Sequence, residues 1–188
     1  MNKISNLKYA PIKYKPLKNL SEDLIYHTKV DYFNTSKIDA FIMFNLKKSD
    51  RKAIMKCFPE LIERDGRKNV PSLYISSLIA TPMQSGLGTK MLDFAENYSK
   101  KIGCNGYYHL EANSGYTPNS VPQIFYKKRG MNTKSPIVNQ KLDFFIRKNK
   151  NATYRDIPNI QMFYPPVKEK ETFLEKIWRN FIFTLSKI

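Results

Sequence analysis

The clearest pattern of apolar and polar positions lies in the middle of the chain. Residues 73–80 form a largely apolar run that predicts a buried strand. In residues 86–102, apolar side chains recur every three or four positions, which predicts an amphipathic helix ending at Gly103. This apolar face consists of Leu87, Met91, Ala95, Tyr98 and Ile102. A second strand is predicted at residues 107–112, so strand, helix and strand follow in the order that implies a parallel pair joined by a crossover.

Before this segment, the patterns are mixed. Residues 1–19 are predicted to be extended. Residues 21–33 begin like a helix, with acidic residues in the first turn, yet residues 25–30 alternate like a strand, and both interpretations stay open. Residues 38–46 predict a buried strand. The pair Ser49-Asp50 predicts a helix start, with a break at Pro59 and a polar turn at residues 65–67.

After the middle segment, the pattern predicts a helix at residues 119–129, closed by Gly130, and strands at residues 137–147 and 160–164. The predicted fold is therefore α/β. Residues 1–167 are expected to form one domain. Residues 168–188 are expected to contain an amphipathic helix that packs on the domain or on a partner such as a second copy of the chain. The same helix would also suit a membrane surface.

Composition adds a question about the partner. The chain has 188 residues, enough for one domain with a sizeable core, and a formal net charge of +16. Such a charge favours an anionic partner, for example RNA or another nucleic acid. Only seven of the 32 basic residues are arginines, the residue that best recognises phosphates and bases. A chain rich in lysine and asparagine also results from an AT-rich genome, so the charge alone decides nothing.

Cysteine and histidine usage argues against several other classes. Cys57 and Cys104 have no metal-ligand spacing and are expected to be core thiols of a reduced, cytoplasmic protein. His27 and His109 are isolated in sequence, so no metal site is expected. We expect no signal peptide and no membrane span, because no apolar stretch of about 18 residues is present.

Two motifs at the right separation point to a family. The first is MQSGLGT at residues 83–89, directly after the strand that ends in LIATP; the second is NSVPQIFYKKRGM at residues 119–131. Together with the strand YHLEA between them, they resemble the GNAT superfamily of N-acetyltransferases. The first motif is similar to that family's acyl-CoA motif, and the second to its Asn-x-x-Ala-x-x-Phe-Tyr-x-x-x-Gly-Phe helix.

The resemblance has departures. Met83 stands where the family has arginine or glutamine, and Gln84 follows one place later. Pro122 replaces a small residue, and Met131 replaces the final phenylalanine. The resemblance also implies a β-hairpin ahead of the first motif, where the sequence predicts one strand and a broken helix. These departures affect the substrate more than the coenzyme site.

The resemblance implies a mostly antiparallel sheet with a splayed central parallel pair, flanked by helices, and acetyl-CoA as cosubstrate. The coenzyme pyrophosphate would meet backbone N–H groups at the start of the helix, where glycines allow close approach. The residues implied to hold the coenzyme are Leu78, Ala80, Gln84, Ser85, Gly86, Leu87, Gly88, Thr89 and Asn119. Asn119 would also suit a simple helix N-cap.

For catalysis, the resemblance implies that Tyr126 is the general acid for the leaving thiolate. Without it, Tyr126 would be an ordinary core aromatic. Glu111 is the best-placed carboxylate for a general base, and His109 shares its strand face by alternation. Lys127, Lys128 and Arg129 suit a ribose phosphate or a solvated helix end.

The expected activity is therefore transfer of an acetyl or short acyl group from acyl-CoA to an amine, by direct attack in a ternary complex. The acceptor is a small molecule or a protein. Two alternatives stay open: a basic nucleic-acid-binding module, and an inactive GNAT-like fold that senses acyl-CoA or acts as a scaffold.

Overall fold

The computed structural model describes residues 23–32, 36–45, 47–48, 50–113, 121–148, 152–153, 155–168, 173 and 176–177. Its strands are β1 (Asp23–Tyr32), β2 (Ser36–Asn45), β3 (Lys52–Arg64), β4 (Arg67–Thr81), β5 (Tyr108–Ala112) and β6 (Ile160–Tyr164). Its helices are α1 (Leu87–Lys101), α2 (Pro122–Lys128) and α3 (Pro136–Arg147).

The fold is α/β, as predicted. The six strands make one mixed sheet in chain order, with one parallel pair and the other pairs antiparallel. β1 pairs with β2 along its whole length, from Asp23 opposite Asn45 to Tyr32 opposite Ser36. The expected parallel pair is therefore present within a mainly antiparallel sheet.

The chain divides into two compact units. The first contains Met1–Glu60 and Pro71–Gly106, and the second contains Leu61–Val70 and Tyr107–Ile188. β3 and β4 each contribute residues to both units.

The core of the first unit lies between α1 and the strands. Phe41 on β2 meets Phe94 and Tyr98 of α1 edge-on, with ring centroids 4.8 and 4.7 Å apart. The helix buries Leu87, Met91 and Ala95 of the predicted stripe, whereas Tyr98 and Ile102 are half-buried; Gly103 has the positive φ of a helix-ending glycine. Other buried residues of this unit include Met43, Ala53, Met55, Cys57, Leu73, Ile75 and Leu92.

The second unit is built on the β5–β6 pair. Tyr108 stacks on Tyr164 across the pair at 4.7 Å, and Leu110 lies opposite Met162. Buried Asn132 completes the far edge: its side chain accepts from the N–H of Val167 and donates to the carbonyl of Val167, both at 2.8 Å. The backbone of Asn132 pairs with Phe163 of β6, and its side chain thus holds the segment that follows this strand.

Two predicted elements were wrong in type. The segment after Ser49-Asp50 is strand β3, not a broken helix, because its buried residues Ala53, Met55 and Cys57 alternate. Pro59 is tolerated there because the register with β2 ends at Cys57, so its missing N–H removes no bond on that side. The polar turn at Asp65 and Gly66 is present.

Residues 137–147 are helix α3, not a strand. Ser135 caps this helix by accepting from the N–H of Val138 at 3.4 Å, and Pro136 occupies the first turn, where its lack of an N–H is harmless. Val138 and Leu142 are buried one turn apart. The length of the apolar run suits either a strand or a helix, and the Ser135 cap before Pro136 favours the helix.

The remaining differences concern the type of residues 23–32 and the boundaries of other elements. Residues 23–32 form strand β1, so the helical interpretation was wrong, and β4 begins six residues earlier than predicted. Two hairpins therefore precede the first motif. α2 begins at Pro122. The predictions for residues 1–19 and Asn119, and most of the C-terminal helix, lie outside the described residues. Of that last segment, Phe173, Lys176 and Ile177 are helical and exposed.

Candidate anion-binding turn and candidate catalytic residues

The turn between β4 and α1 has a left-handed backbone at two positions. Gln84 has φ 63° and Gly86 has φ 80°. The Ser85 N–H donates to the carbonyl of Pro82 at 3.3 Å, which closes the turn before the helix begins. A side chain at position 86 would be strained by this φ, which glycine adopts without that cost.

The start of α1 leaves backbone donors available. The first intrahelical bond runs from the N–H of Lys90 to the carbonyl of Gly86 at 3.2 Å, so the N–H groups of Leu87, Gly88 and Thr89 have no partner within the helix. In the described part of the chain, no side chain caps this end, and the first turn holds no acidic residue. The result is a positive helix end with unpaired donors, which favours an anion.

The space over the turn is open. A Cβ added to Gly86 would meet nothing within 4 Å, so no atom of the described chain beyond the adjacent residues crowds the backbone at this glycine. Leu78 and Ala80, which precede the turn on β4, are both half-buried and share one face of the strand by alternation. The predicted coenzyme residues 78–89 therefore form one continuous strand–turn–helix segment of the first unit.

Ser85 adds an unusual feature to this turn. Its hydroxyl oxygen is covered by protein and meets no hydrogen-bond partner among the described residues. A buried polar group in this state costs about 1–3 kcal/mol, so natural structures keep few of them without a reason. Because serine has a single χ1 rotation, a bound ligand is able to supply the missing partner at little cost.

The predicted general acid, Tyr126, lies on α2 in the second unit. Its side chain is only 9% exposed, and its ring contacts Phe125 edge-on at 5.2 Å. Burial raises the pKa of Tyr126 to about 12. The hydroxyl is protonated at neutral pH, as in an ordinary tyrosine, and the raised pKa makes it a weaker acid.

The predicted base, Glu111, is exposed on β5, opposite Gln161 of β6. The next residue, Ala112, accepts a hydrogen bond at 3.2 Å from Gln123, which also donates to Pro158 at 2.9 Å. Gln123 thus fixes α2 to the end of the strand that carries Glu111.

His109, the alternative base, has a different environment. Its side chain is fully buried, and its ring stacks on Phe163 with a centroid distance of 5.8 Å. Although His109 and Glu111 alternate onto one face of β5, only Glu111 is open to solvent. Burial favours a packing role for His109.

Lys127, Lys128 and Arg129 lie at the end of α2. Lys127 forms an ion pair with Asp143 of α3 at 3.4 Å, which is a contact within the second unit. Lys128 is exposed. The predicted residues are thus divided: residues 78–89 belong to the first unit, Glu111 and Tyr126 to the second, and Asn119 lies outside the described residues.

Both cysteines are buried and free, as predicted. Burial raises the pKa of Cys57, with a smaller contribution from Asp39, and burial raises the pKa of Cys104. Each thiol is therefore uncharged at neutral pH, a poor state for a nucleophile.

A polar cluster in the first unit was not predicted. His27 Nε2 lies 2.6 Å from Asp39 Oδ1, and the Tyr98 hydroxyl donates to Asp39 Oδ2 at 2.9 Å. The His27 ring stacks on Phe41 at 4.6 Å. These residues lie on β1, β2 and α1, far apart in sequence, so no local spacing marks them.

Comparison with known proteins finds no matching family model, no matching curated protein and no matching solved structure. Within the described ranges, no group of three or more His, Cys, Asp and Glu side chains is placed to hold a metal ion. No helix in the same ranges is both long and apolar enough to cross a membrane.

Proposed function

We propose that this protein is an acyl-CoA-dependent N-acyltransferase of GNAT type, which transfers an acetyl or other short acyl group to an amine. The observation that carries the proposal is the turn before α1. Left-handed Gly86, open space above it and the uncapped N–H groups of residues 87–89 suit the pyrophosphate of a coenzyme. The strand–turn–helix context supports the motif resemblance, because a Gly-x-Gly in an ordinary loop would lack the helix.

In the proposed reaction, the amine attacks the thioester carbonyl directly, with both substrates bound together. The N–H of Ala80 would stabilise the developing oxyanion. By the motif resemblance, Tyr126, which is protonated at neutral pH, would protonate the leaving thiolate. Exposed Glu111 would accept the amine proton, directly or through water. No covalent enzyme intermediate is needed, in keeping with the burial of both cysteine thiols.

Thermal unfolding with and without acetyl-CoA tests the coenzyme site. A ligand that binds only the native state raises the unfolding midpoint. At a ligand concentration of 100 times Kd, it adds about 2.7 kcal/mol to the free energy of unfolding. Gly86→Asp should abolish this rise, because a carboxylate there repels the pyrophosphate. An aspartate at position 86 is strained by the positive φ, and its favourable charge near the helix N-terminus offsets part of that cost.

Gly103→Asp is the matched control. Gly103 lies at the other end of the same helix, has φ 85°, and an added Cβ there also meets nothing within 4 Å. This variant should keep the acetyl-CoA shift. Absence of a shift in the parent protein, or an equal shift in Gly86→Asp, would refute the proposed site.

Turnover is tested separately by following free CoA thiol with a panel of amines. Tyr126→Phe should lower kcat while leaving the acetyl-CoA shift intact, since it removes the proton donor alone. Binding without turnover for any amine would favour the inactive sensor.

A further inference from the structure

The outward side of α3 carries an exposed aromatic ring among basic residues. The helix buries Val138, Asn139 and Leu142. The exposed residues of α3 and its C-cap are Gln140, Lys141, Phe144, Arg147 and Lys148, and we call Lys141, Phe144, Arg147 and Lys148 the α3 face. Phe144 is 43% exposed, although phenylalanine is one of the residue types that proteins most often bury.

The spacing places these groups side by side. Residues three or four apart are neighbours on a helix surface, so Lys141 lies one turn before Phe144 and Lys148 one turn after it. Phe145 meets the Phe144 ring edge-on at 5.6 Å, which restrains its orientation. Arg147 Nε donates to the carbonyl of Asp143 at 3.3 Å, which anchors the arginine stem along the helix.

Two acidic residues of the described chain near this face, Asp143 and Asp156, have partners outside it. Asp143 pairs with Lys127 at 3.4 Å. Asp156 accepts from the N–H and the hydroxyl of Thr153 at 2.7 and 2.8 Å. These hydrogen bonds lower the pKa of Asp156, with a smaller contribution from Lys141. Among the described residues, the α3 face thus presents three basic side chains around Phe144, of which Lys141 also interacts with Asp156.

We propose that the α3 face binds single-stranded nucleic acid, with Phe144 stacking on a base and Lys141, Arg147 and Lys148 contacting phosphates. Base stacking on an aromatic side chain combined with a basic track is the general mode of single-strand binding, and it needs no sequence readout. The proposal goes beyond acyl transfer and does not depend on it.

Nucleic acid fits this face better than a lipid surface. A helix that lies in a bilayer interface needs a broad apolar stripe, whereas the α3 face has a single ring between cations. Lys141 and Lys148 lie one helical turn before and after Phe144, so positive charges are available on both sides of the ring for a phosphate chain.

Fluorescence anisotropy of a labelled single-stranded RNA with the full chain tests the proposal, with single-stranded DNA run in parallel. Phe144→Ala should weaken binding about 5- to 150-fold, the effect of losing one stacked base. Lys141→Gln/Lys148→Gln should lower the slope of log K against log salt by about 1.4, the value for two lost phosphate contacts on a single strand.

Matched controls change the same charges elsewhere. Lys37→Gln/Lys52→Gln removes two exposed lysines from β2 and β3, and Phe173→Ala removes a ring that is 78% exposed outside α3. Neither should change affinity more than about twofold. Equal losses in control and test variants would mean attraction by net charge alone, and would overturn the proposal.

Two other results would also overturn it: no measurable binding at low salt, or binding to phosphatidylserine vesicles that the Phe144→Ala variant loses while RNA affinity stays unchanged. Unfolding midpoints of all variants establish that each is folded at the assay temperature.

Discussion

The Tyr98 hydroxyl donates a 2.9 Å hydrogen bond to Oδ2 of Asp39, while Oδ1 of the same carboxylate lies 2.6 Å from His27 Nε2. One carboxylate thereby ties edge strand β1 and helix α1 to β2. Lys29, at 3.9 Å and largely exposed, adds little. Because Asp39 is mostly buried, its two close partners replace the water that it loses on folding.

We expect Tyr98→Phe to lower the free energy of unfolding by about 1.5–3 kcal/mol, the usual cost of a lost hydrogen bond to a charged group. Asp39→Asn should cost at least as much, because it disturbs both partners. Urea denaturation of the single and double variants measures the coupling between the two residues. Purely additive losses would show that the hydrogen bond contributes nothing of its own.

The Cys57 thiol lies opposite Asp39 in the β2–β3 register, and burial raises its pKa above the usual 9.0. Above pH 9 the unfolded chain loses this proton and the folded chain keeps it. The free energy of unfolding should then fall with rising pH, by up to about 1.4 kcal/mol per pH unit for this group. Tyr126 adds the same effect from pH 10 to about 12.

Unfolding by urea at pH 7.5, 8.5 and 9.5 checks this expectation. Cys57→Ala should be less stable at pH 7.5 because of the missing sulfur, yet its stability should decline less steeply with pH. Parallel curves for parent and variant would mean that Cys57 does not contribute to alkaline destabilisation.

Arg64 joins the hairpin tip to the segment after β6. Its Nη2 donates to the carbonyls of Pro165 and Pro166, and its guanidinium lies 4.4 Å from the centre of the Tyr107 ring. Arg64→Lys should cost more than about 2 kcal/mol, because an ammonium cannot bridge two carbonyls and stack on a ring at once. Exposed Arg67, on the same hairpin, is the control; Arg67→Lys should change stability by less than about 0.5 kcal/mol. Similar losses in both would contradict the role of Arg64.

The sequence predicts best where one local pattern is long and has clear ends. α1 is a 15-residue helix with an apolar stripe, preceded by Gly86 and followed by Gly103, so the sequence predicts its type and, to within one residue at each end, its bounds. β3 was mistaken for a helix because Ser49-Asp50 imitates a cap and Pro59 suggests a break. The alternation of Ala53, Met55 and Cys57 is the pattern that indicates a strand in this segment.

The candidate site shows the same limit. The left-handed turn before α1 can be predicted from the local sequence, because Gly86 stands directly before the apolar helical pattern. By contrast, the Asp39 cluster joins residues 12 and 59 positions apart, and the contacts of Arg64 span 101 and 102. Such pairs depend on strand register and helix docking, which short-range patterns do not encode.

A substitution at Ser85 is expected to change acetyl-CoA binding and folding stability in opposite directions. Ser85→Ala removes a buried hydroxyl without a described partner, so the ligand-free protein should be as stable as the parent or more stable, by up to about 1–3 kcal/mol. If that hydroxyl turns to the coenzyme, the rise in unfolding midpoint with acetyl-CoA should shrink.

Ser99 provides the comparison for this test, since it is a buried serine of helix α1, which follows the turn, and its hydroxyl donates to the Cys104 carbonyl at 3.3 Å. Ser99→Ala should lose about 1 kcal/mol and keep the full acetyl-CoA shift. The two variants thus move stability and ligand response in opposite ways. If Ser85→Ala instead loses as much stability as Ser99→Ala and keeps the shift, the Ser85 hydroxyl serves folding, and the coenzyme is held by backbone donors alone.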